Sequence, residues 1–353
     1  MVGCGAVSEV LYGKALLQLE GEGLVSTSAV VDPNPRRTAV VGAILPGARQ
    51  CASLDEALAQ AKPDLAIIAA PHRFHADQAV QCLDGSVAVL CEKPMATTVA
   101  ECDRMIAAAE RSGRVLAVGH FRRFFPSCQI IKTMIVTGAL GAVRSFRVLE
   151  GETYSWPAQS ASFFKREESG GGVLIDAGAH TIDLLLWWLG DVSEAHYVDD
   201  AMGGVEANSV LRLKMASGAA GTVHLSRDWP LPNRYVIECE HGWVTYICDQ
   251  VDRLEWGFHA RPYGLESGIH AMANNLAEPR QLGADVPSFM ACFVNQLRNV
   301  VAAAKGQAPL GVSGVEARKT VALIEDCYRR RTLLPMPWLE PGELARAHRL
   351  AHV

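Results

Sequence analysis

The sequence lacks any cysteine framework. Its 10 cysteines are scattered, without a C-x-x-C pair or a cysteine–histidine spacing that would hold zinc. That excludes a zinc-ribbon class and a disulfide scaffold, predicts no metal site, and fits reduced thiols in a cytoplasmic protein. An excess of charge is missing too: 33 lysines and arginines stand against 38 aspartates and glutamates, a formal net charge of −5. Phosphate backbones and anionic lipid therefore meet no general attraction. The compact basic cluster "CYRRRT" at residues 327–332 fits the basic end of a helix, so nucleic acid is set aside as a partner. No apolar run reaches bilayer-spanning length free of charge, and no basic-then-apolar leader opens the chain, so neither a membrane span nor export is predicted. Internal repeats and low-complexity tracts are also missing.

What is present is enough apolar sequence, 49% of 353 residues, for two cores. From residue 24 to 119 short apolar runs ("LVSTSAVVD", "DLAIIAA", "SVAVLC", "RVLAVGH") alternate with segments of helical period. That rhythm predicts a parallel sheet with crossover helices. Ser53 with Glu56 and Thr98 with Glu101 form capping boxes, and Gly113 fits a helix stop. Along the second of these helices Val99, Cys102, Met105, Ile106 and Ala109 share one face. Beyond residue 123 the pattern becomes one helix ("SCQIIKTMIVTG"), then strand-like runs with short connections, then helical segments near 286–304 and 315–331. The expected fold class is α/β: a Rossmann-type parallel domain over residues 1–122, and an α+β domain with a large, mainly antiparallel sheet over 123–353. The tail after Pro335 is expected to be a loosely attached extension.

The opening "GCGAVS" places Gly3, Gly5 and Ser8 at the spacing of the dinucleotide fingerprint, where a tight turn lets backbone N–H groups approach a pyrophosphate. Alone the match is weak. It gains weight from Asp32, which ends a second apolar run and would accept hydrogen bonds from the adenosine ribose hydroxyls while repelling a 2′-phosphate. Arg36 and Arg37 blur that preference, since an arginine just past the strand can pair with the phosphate; a turn residue before Pro33 is the plainer role for Asp32. Only Met1 and Val2 precede Gly3, so the first strand is expected to be truncated, with a start several codons upstream as one explanation.

Two further stretches carry ionisable groups into apolar surroundings. "LCEKPMATT", residues 90–98, puts Glu92, Lys93 and Pro94 at the end of a buried run, either as a surface turn with an ion pair or as chemistry at the sheet's carboxyl edge. "SGGGVLIDAGAHTIDLLLWWLG", residues 169–190, spaces Asp176, His180 and Asp183 at i, i+4 and i+7 on one face of an otherwise apolar helix. Such groups need partners or a wet cavity. Trp156, Trp229 and Trp256 suit stacking on a sugar face or packing in a core or interface.

Taken together, "GCGAVS", "AAPHRFHAD", "CEKPMATT", "GHFRRFFP" and "GGGVLIDAGAHTIDLLLWWLG" resemble the glucose–fructose oxidoreductase, inositol dehydrogenase and MocA family over nearly the whole length. The resemblance implies an NAD-binding first domain, with NADP as the alternative. It implies a second domain whose sheet carries a sugar or polyol substrate and pairs subunits into a homodimer or homotetramer. It carries catalysis to Lys93, Asp176 and His180. Cofactor binding falls to Gly3, Gly5, Ala6, Val7, Asp32, Arg37, Ala70, Pro71, His72, His75, Glu92, Lys93 and Arg123. Ala70, His72 and Phe121 depart from the residues common in the family at those places.

The reaction implied is reversible hydride transfer between a secondary hydroxyl carbon and nicotinamide. Loss of the hydride requires loss of the hydroxyl proton, so a base with a pKa near neutrality must sit at that oxygen; His180 is assigned this role. Lys93 donates to the same oxygen, Asp176 orients the pair, and Glu92 anchors the turn. Transient NAD use in glycoside hydrolysis and a non-catalytic regulatory role are the alternatives.

Overall fold

The computed structural model describes residues 1–259, 267–268 and 288–351. By internal contacts the chain divides into two compact units, Met1–Phe121 with Trp156–Gly170 and Met290–Glu325, and Arg122–Ser155 with Gly171–Phe289 and Asp326–Val353.

The first unit is built on parallel strands β1 (Ala29–Val31), β2 (Arg49–Cys51), β3 (Leu65–Ile68), β4 (Ala88–Cys91) and β5 (Leu116–Val118). Val2 fills the gap between β1 and β3 with parallel bridges to Val31 and Ile68. Its N–H donates to Ile67 O, and that of Gly3 to Val31 O, each at 2.8 Å. Met1 pairs with β1 as well, its amine donating to Ala29 O at 2.7 Å and its carbonyl accepting from Val31 N at 2.8 Å, so residues 1–3 form a short pairing where the sequence predicted a stunted strand. Because both faces of this sheet are covered, its strands read as continuous apolar runs: Val30, Ile68, Val89 and Leu90 are all 0% exposed. Helix starts follow local chemistry. Asn34 caps Pro35–Ile44, Ser53 caps Leu54–Ala61, and Thr98 with Glu101 forms a complete capping box on Val99–Ser112, which Gly113 ends in the left-handed region. That last helix buries Cys102, Met105 and Ala108, while Val99, Ile106 and Ala109 are half-buried, so its core face is rotated from the one read off the sequence.

The second unit carries β6 (Val143–Gly151), β7 (Val192–Asp199), β8 (Asn208–Met215), β9 (Ala220–Ser226), β10 (Arg234–Cys239), β11 (Gly242–Ile247), β12 (Leu254–Phe258), β13 (Ser267–Gly268) and β14 (Thr332–Leu333). Among the described residues these form one nine-stranded sheet in the order β13-β12-β11-β10-β6-β9-β8-β7-β14. Neighbours are antiparallel except β6 with β9 and β7 with β14. Alternation sorts the side chains: Leu211, Leu213, Val223, Phe146, Val148 and Ile237 are buried, whereas Val210, Arg212, Thr222, Arg147 and Leu149 are half-buried or exposed on the opposite face. Helix Ala177–Leu189 packs beside helix Pro126–Val136, where Trp188 Nε1 donates to Cys128 O at 3.0 Å. The rings of Tyr235 and Tyr246 meet Trp188 edge-on at 6.2 and 6.0 Å.

The expectation of a loose tail is corrected. Residues after Pro335 form helix Pro341–Ala351, and Ala347 closes a small core with Leu333 and Met336, against which Leu339 packs. Leu344, Ala347 and Leu350 recur every three residues and give the tail an apolar face. The helices expected near 286–304 and 315–331 run over Phe289–Ala304 and Gly314–Arg329; residues 286–287 lie outside the described residues.

Candidate active site

In the first unit a cleft of about 540 Å³ opens at the carboxyl ends of β1 and β3, where open α/β sheets take their ligands. Gly3, Gly5, Ala6, Val7, Asp32, Arg37, Ala70, Pro71 and His72, all singled out from the sequence, line it. Gly3 has φ +86°, and a Cβ there would lie 2.5 Å from Ala69 O, so only glycine fits. At Gly5 a Cβ would meet no atom within 4 Å, which leaves the backbone open to close approach by a ligand. Ser8 Oγ donates to Gly3 O at 2.6 Å and ties the helix start to the turn. Asp32 accepts from Cys4 N through Oδ2 and from Asn34 N through Oδ1, both at 2.9 Å, so the carboxylate is fixed at the strand end. Cys4 is fully buried, and burial, with Asp32 beside it, pushes its thiol up to about 12. An exposed glycine backbone, a helix start and a fixed carboxylate at these places fit a dinucleotide.

Behind the cleft, two turns are tied together. His75 does not line the cleft: it is 0% exposed, with Nδ1 2.9 Å from Pro94 O and Nε2 2.8 Å from Ala70 O. It is a strut between the turns after β3 and β4, one of which carries Ala70 and Pro71 to the cleft. Burial pushes its pKa down, against the two carbonyl contacts. Glu92 is also internal, accepting from Tyr12 OH at 2.7 Å and from Lys93 N at 3.0 Å. A Cβ at Gly119 would come within 2.9 Å of Glu92 Oε1, so the last strand's exit is kept bare for this carboxylate. Lys93 stands half-buried on the turn so held. His72 is 7% exposed and lines the cleft, with Nδ1 2.8 Å from Ser169 O.

In the second unit the stretch 169–190 that carries the polar stripe becomes this helix only from Ala177 onward. Asp176 is the N-cap of Ala177–Leu189, with His180 and Asp183 buried inside the helix. Arg123, expected to bind cofactor, pairs with Asp183, with Nε–Oδ2 at 2.9 Å and a second bond to Oδ1 at 2.7 Å. A second buried network fixes the next residue of the same helix. Thr181 donates to Glu150 Oε2 at 2.7 Å, Arg122 binds Glu150 Oε1 at 2.8 Å, and Tyr235 OH also donates to the carboxylate. Burial alone would raise the Glu150 pKa, but the charge and hydrogen bonds of Arg122, with Tyr235 and Thr181, hold it at about 2.

The glycine run before Asp176 has its own reason. Glu206 accepts from Gly172 N at 2.9 Å and Leu174 N at 3.0 Å, and Tyr328 OH donates to it at 2.7 Å. A Cβ on Gly171 would sit 2.1 Å from Tyr328 OH, and one on Gly172 2.0 Å from Glu206 O. Sequence reasoning missed this cradle and also missed Arg227, whose guanidinium lies 3.7 Å from Asp176 Oδ2 and 5.9 Å from the Tyr154 ring centre. Among the described residues no cluster suited to a metal ion occurs, and no helix is long and apolar enough to cross a membrane.

A doubly wound nucleotide-binding unit and a large mixed sheet bearing a carboxylate–imidazole helix define a class of two-unit, NAD-binding oxidoreductases. Residues 1–120 match the model for the oxidoreductase family with an NAD-binding Rossmann fold, and residues 128–245 that for the GFO/IDH/MocA C-terminal domain. The chain belongs to this Gfo/Idh/MocA family. It is 28% identical over 262 residues to 4-carboxy-2-hydroxymuconate-6-semialdehyde dehydrogenase from Sphingobium sp., covering 72% of this chain and 81% of the relative. It is 29% identical over 191 residues to inositol 2-dehydrogenase 2 from Saccharopolyspora erythraea, covering 54% of this chain and 53% of the relative. The crystal structure of the WlbA dehydrogenase from Bordetella pertussis in complex with NADH and UDP-GlcNAcA shares the fold, with a TM-score of 0.78 at 24% identity over 93% of each chain. The protein is accordingly an NAD(P)-dependent dehydrogenase or reductase.

Proposed function

We propose that this enzyme interconverts a secondary hydroxyl and a ketone on a sugar, inositol or related polyol. The observation that carries this reading is Lys93, which stands in the unit that holds the NAD cleft, on a turn braced by Glu92–Tyr12 on one side and Pro94–His75 on the other. Bound NAD supplies the hydride acceptor. Lys93 donates a hydrogen bond to the hydroxyl oxygen, and His180 takes its proton as the hydride leaves carbon and the C=O bond forms. Asp176 orients these groups. One observation favours a second substrate class, a carboxylate-bearing compound: Arg227 beside Asp176 puts a buried guanidinium at the helix start. The relative from Sphingobium is named for such a compound.

The test is to follow NADH formation with myo-inositol, D-glucose, an alkyl glucoside and D-glucuronate. Accumulation of NADH with any of the neutral substrates supports the reading, and turnover confined to glucuronate selects the carboxylate class. Release of the aglycone without net NADH would replace both with glycoside hydrolysis. A homodimer or homotetramer through the open sheet face is part of the proposal, supported by the half-buried Leu149, Val198, Val210 and Val236 on that face. Sedimentation of Val210→Glu as a smaller species than the wild type is the expected result.

A further inference from the structure

Arg37 was expected to offer its charge to a 2′-phosphate, but its side chain is already committed. Nε donates to Cys4 O at 2.7 Å, and NH2 donates to Glu9 Oε2 at 2.7 Å and more weakly to Gly5 O at 3.4 Å. NH1 donates to Gln159 Oε1 at 3.2 Å. With Asp32 taking Cys4 N–H, the peptide groups around Cys4 are gripped by a carboxylate on one side and a guanidinium on the other. Glu9 neutralises that guanidinium, which keeps only 14% of its side-chain surface exposed. Gln159 belongs to the segment Trp156–Gly170, which the contacts assign to the first unit, and Trp156, Gln159, Ser160 and Phe163 form part of the cleft wall.

We propose that Arg37 is a brace, not a phosphate receptor: it holds the glycine turn in its cofactor-binding shape and latches the Trp156–Gly170 segment to it. Selection of NAD over NADP then falls to the Asp32 carboxylate, with Arg37 already charge-compensated and only the exposed Arg36 left to offset the repulsion. This holds whichever substrate class proves right.

Equilibrium dialysis of NAD and NADP against the full chain separates a brace from a receptor. As a brace, Arg37→Ala weakens both cofactors in parallel, by about tenfold as for the loss of hydrogen bonds to a charged group. Gln159→Ala weakens NAD as well, and the double variant is no weaker than Arg37→Ala, because the two side chains act as one latch. A receptor gives the opposite pattern, with NAD binding intact and NADP binding alone reduced in Arg37→Ala; that result overturns the brace. Additive effects of the two substitutions overturn the latch. Should Arg37→Ala fail to fold, Glu9→Gln decides by removing the counter-charge and keeping the shape. A several-fold gain of NADP over NAD is then expected, and an unchanged ratio contradicts the compensation on which the proposal stands.

Discussion

At the scale of single residues, the buried Glu150 carboxylate makes the clearest demand. Its pKa of about 2 lies below the ordinary value of about 4.3, so its contribution to stability is full above the ordinary value and is lost as pH falls through the lower one. Urea unfolding of the wild type should weaken between about pH 4 and pH 2, and Glu150→Gln should lack that component. At neutral pH the same variant should be less stable, by no more than about 3–5 kcal/mol, because Arg122 would lose its buried partner and keep only the exposed Asp249 carboxylate 3.2 Å away. A variant that titrates as steeply as the wild type would remove Glu150 from this role. On the catalytic side, Lys93→Met and His180→Ala should keep the fold and largely keep NAD affinity, while turnover falls by roughly 10²–10⁴-fold. Full turnover in either variant refutes its assigned part. Legibility at this scale was uneven. The glycine turn and Asp32 could be read because they serve one local motif, whereas the partners of Arg37 lie 28 and 122 positions away and those of Arg123 lie 60 away, at Asp183. No spacing rule reaches that far.

Individual elements were read best where their ends are set by local chemistry. The box of Thr98 and Glu101 and the stop at Gly113 sit where the sequence put them, because a cap needs only residues three or four apart. Thr98→Ala should cost about 1 kcal/mol in thermal or urea unfolding, with cofactor affinity unchanged, since the helix start faces Glu325 and not the cleft. Asp176, read as part of a polar stripe on the helix face, caps that helix, because periodicity alone does not distinguish a helical residue from the cap before it. β7 and helix Pro35–Ile44 went unread. β7 mixes polar residues on its open face, and the helix begins with Pro35, Arg36 and Arg37 in place of an apolar stripe.

For the whole molecule, contacts cut across chain order. Phe293, from the helix Phe289–Ala304, meets Tyr12 at 4.7 Å and Phe121 at 5.6 Å between ring centres. A fragment of residues 1–122 would therefore lose aromatic core on one side and the Gln159 latch on the other. It is expected to bind NAD far more weakly than the full chain and to melt without a sharp transition, as calorimetry can check. A fragment that matches the full chain in both would show that the later segments are accessories.

Of the seven tryptophans, only Trp156 belongs to the first unit, and it lines the cleft beside the latch. Indole emission overlaps the absorption of reduced nicotinamide, so light absorbed by Trp156 should reappear as cofactor fluorescence whenever the dinucleotide is held against that wall. Trp156→Phe should dim this signal more than Trp338→Phe, whose indole is 73% exposed in the second unit. The protein thereby contains its own gauge of whether a reduced cofactor lies against the wall that bears Gln159.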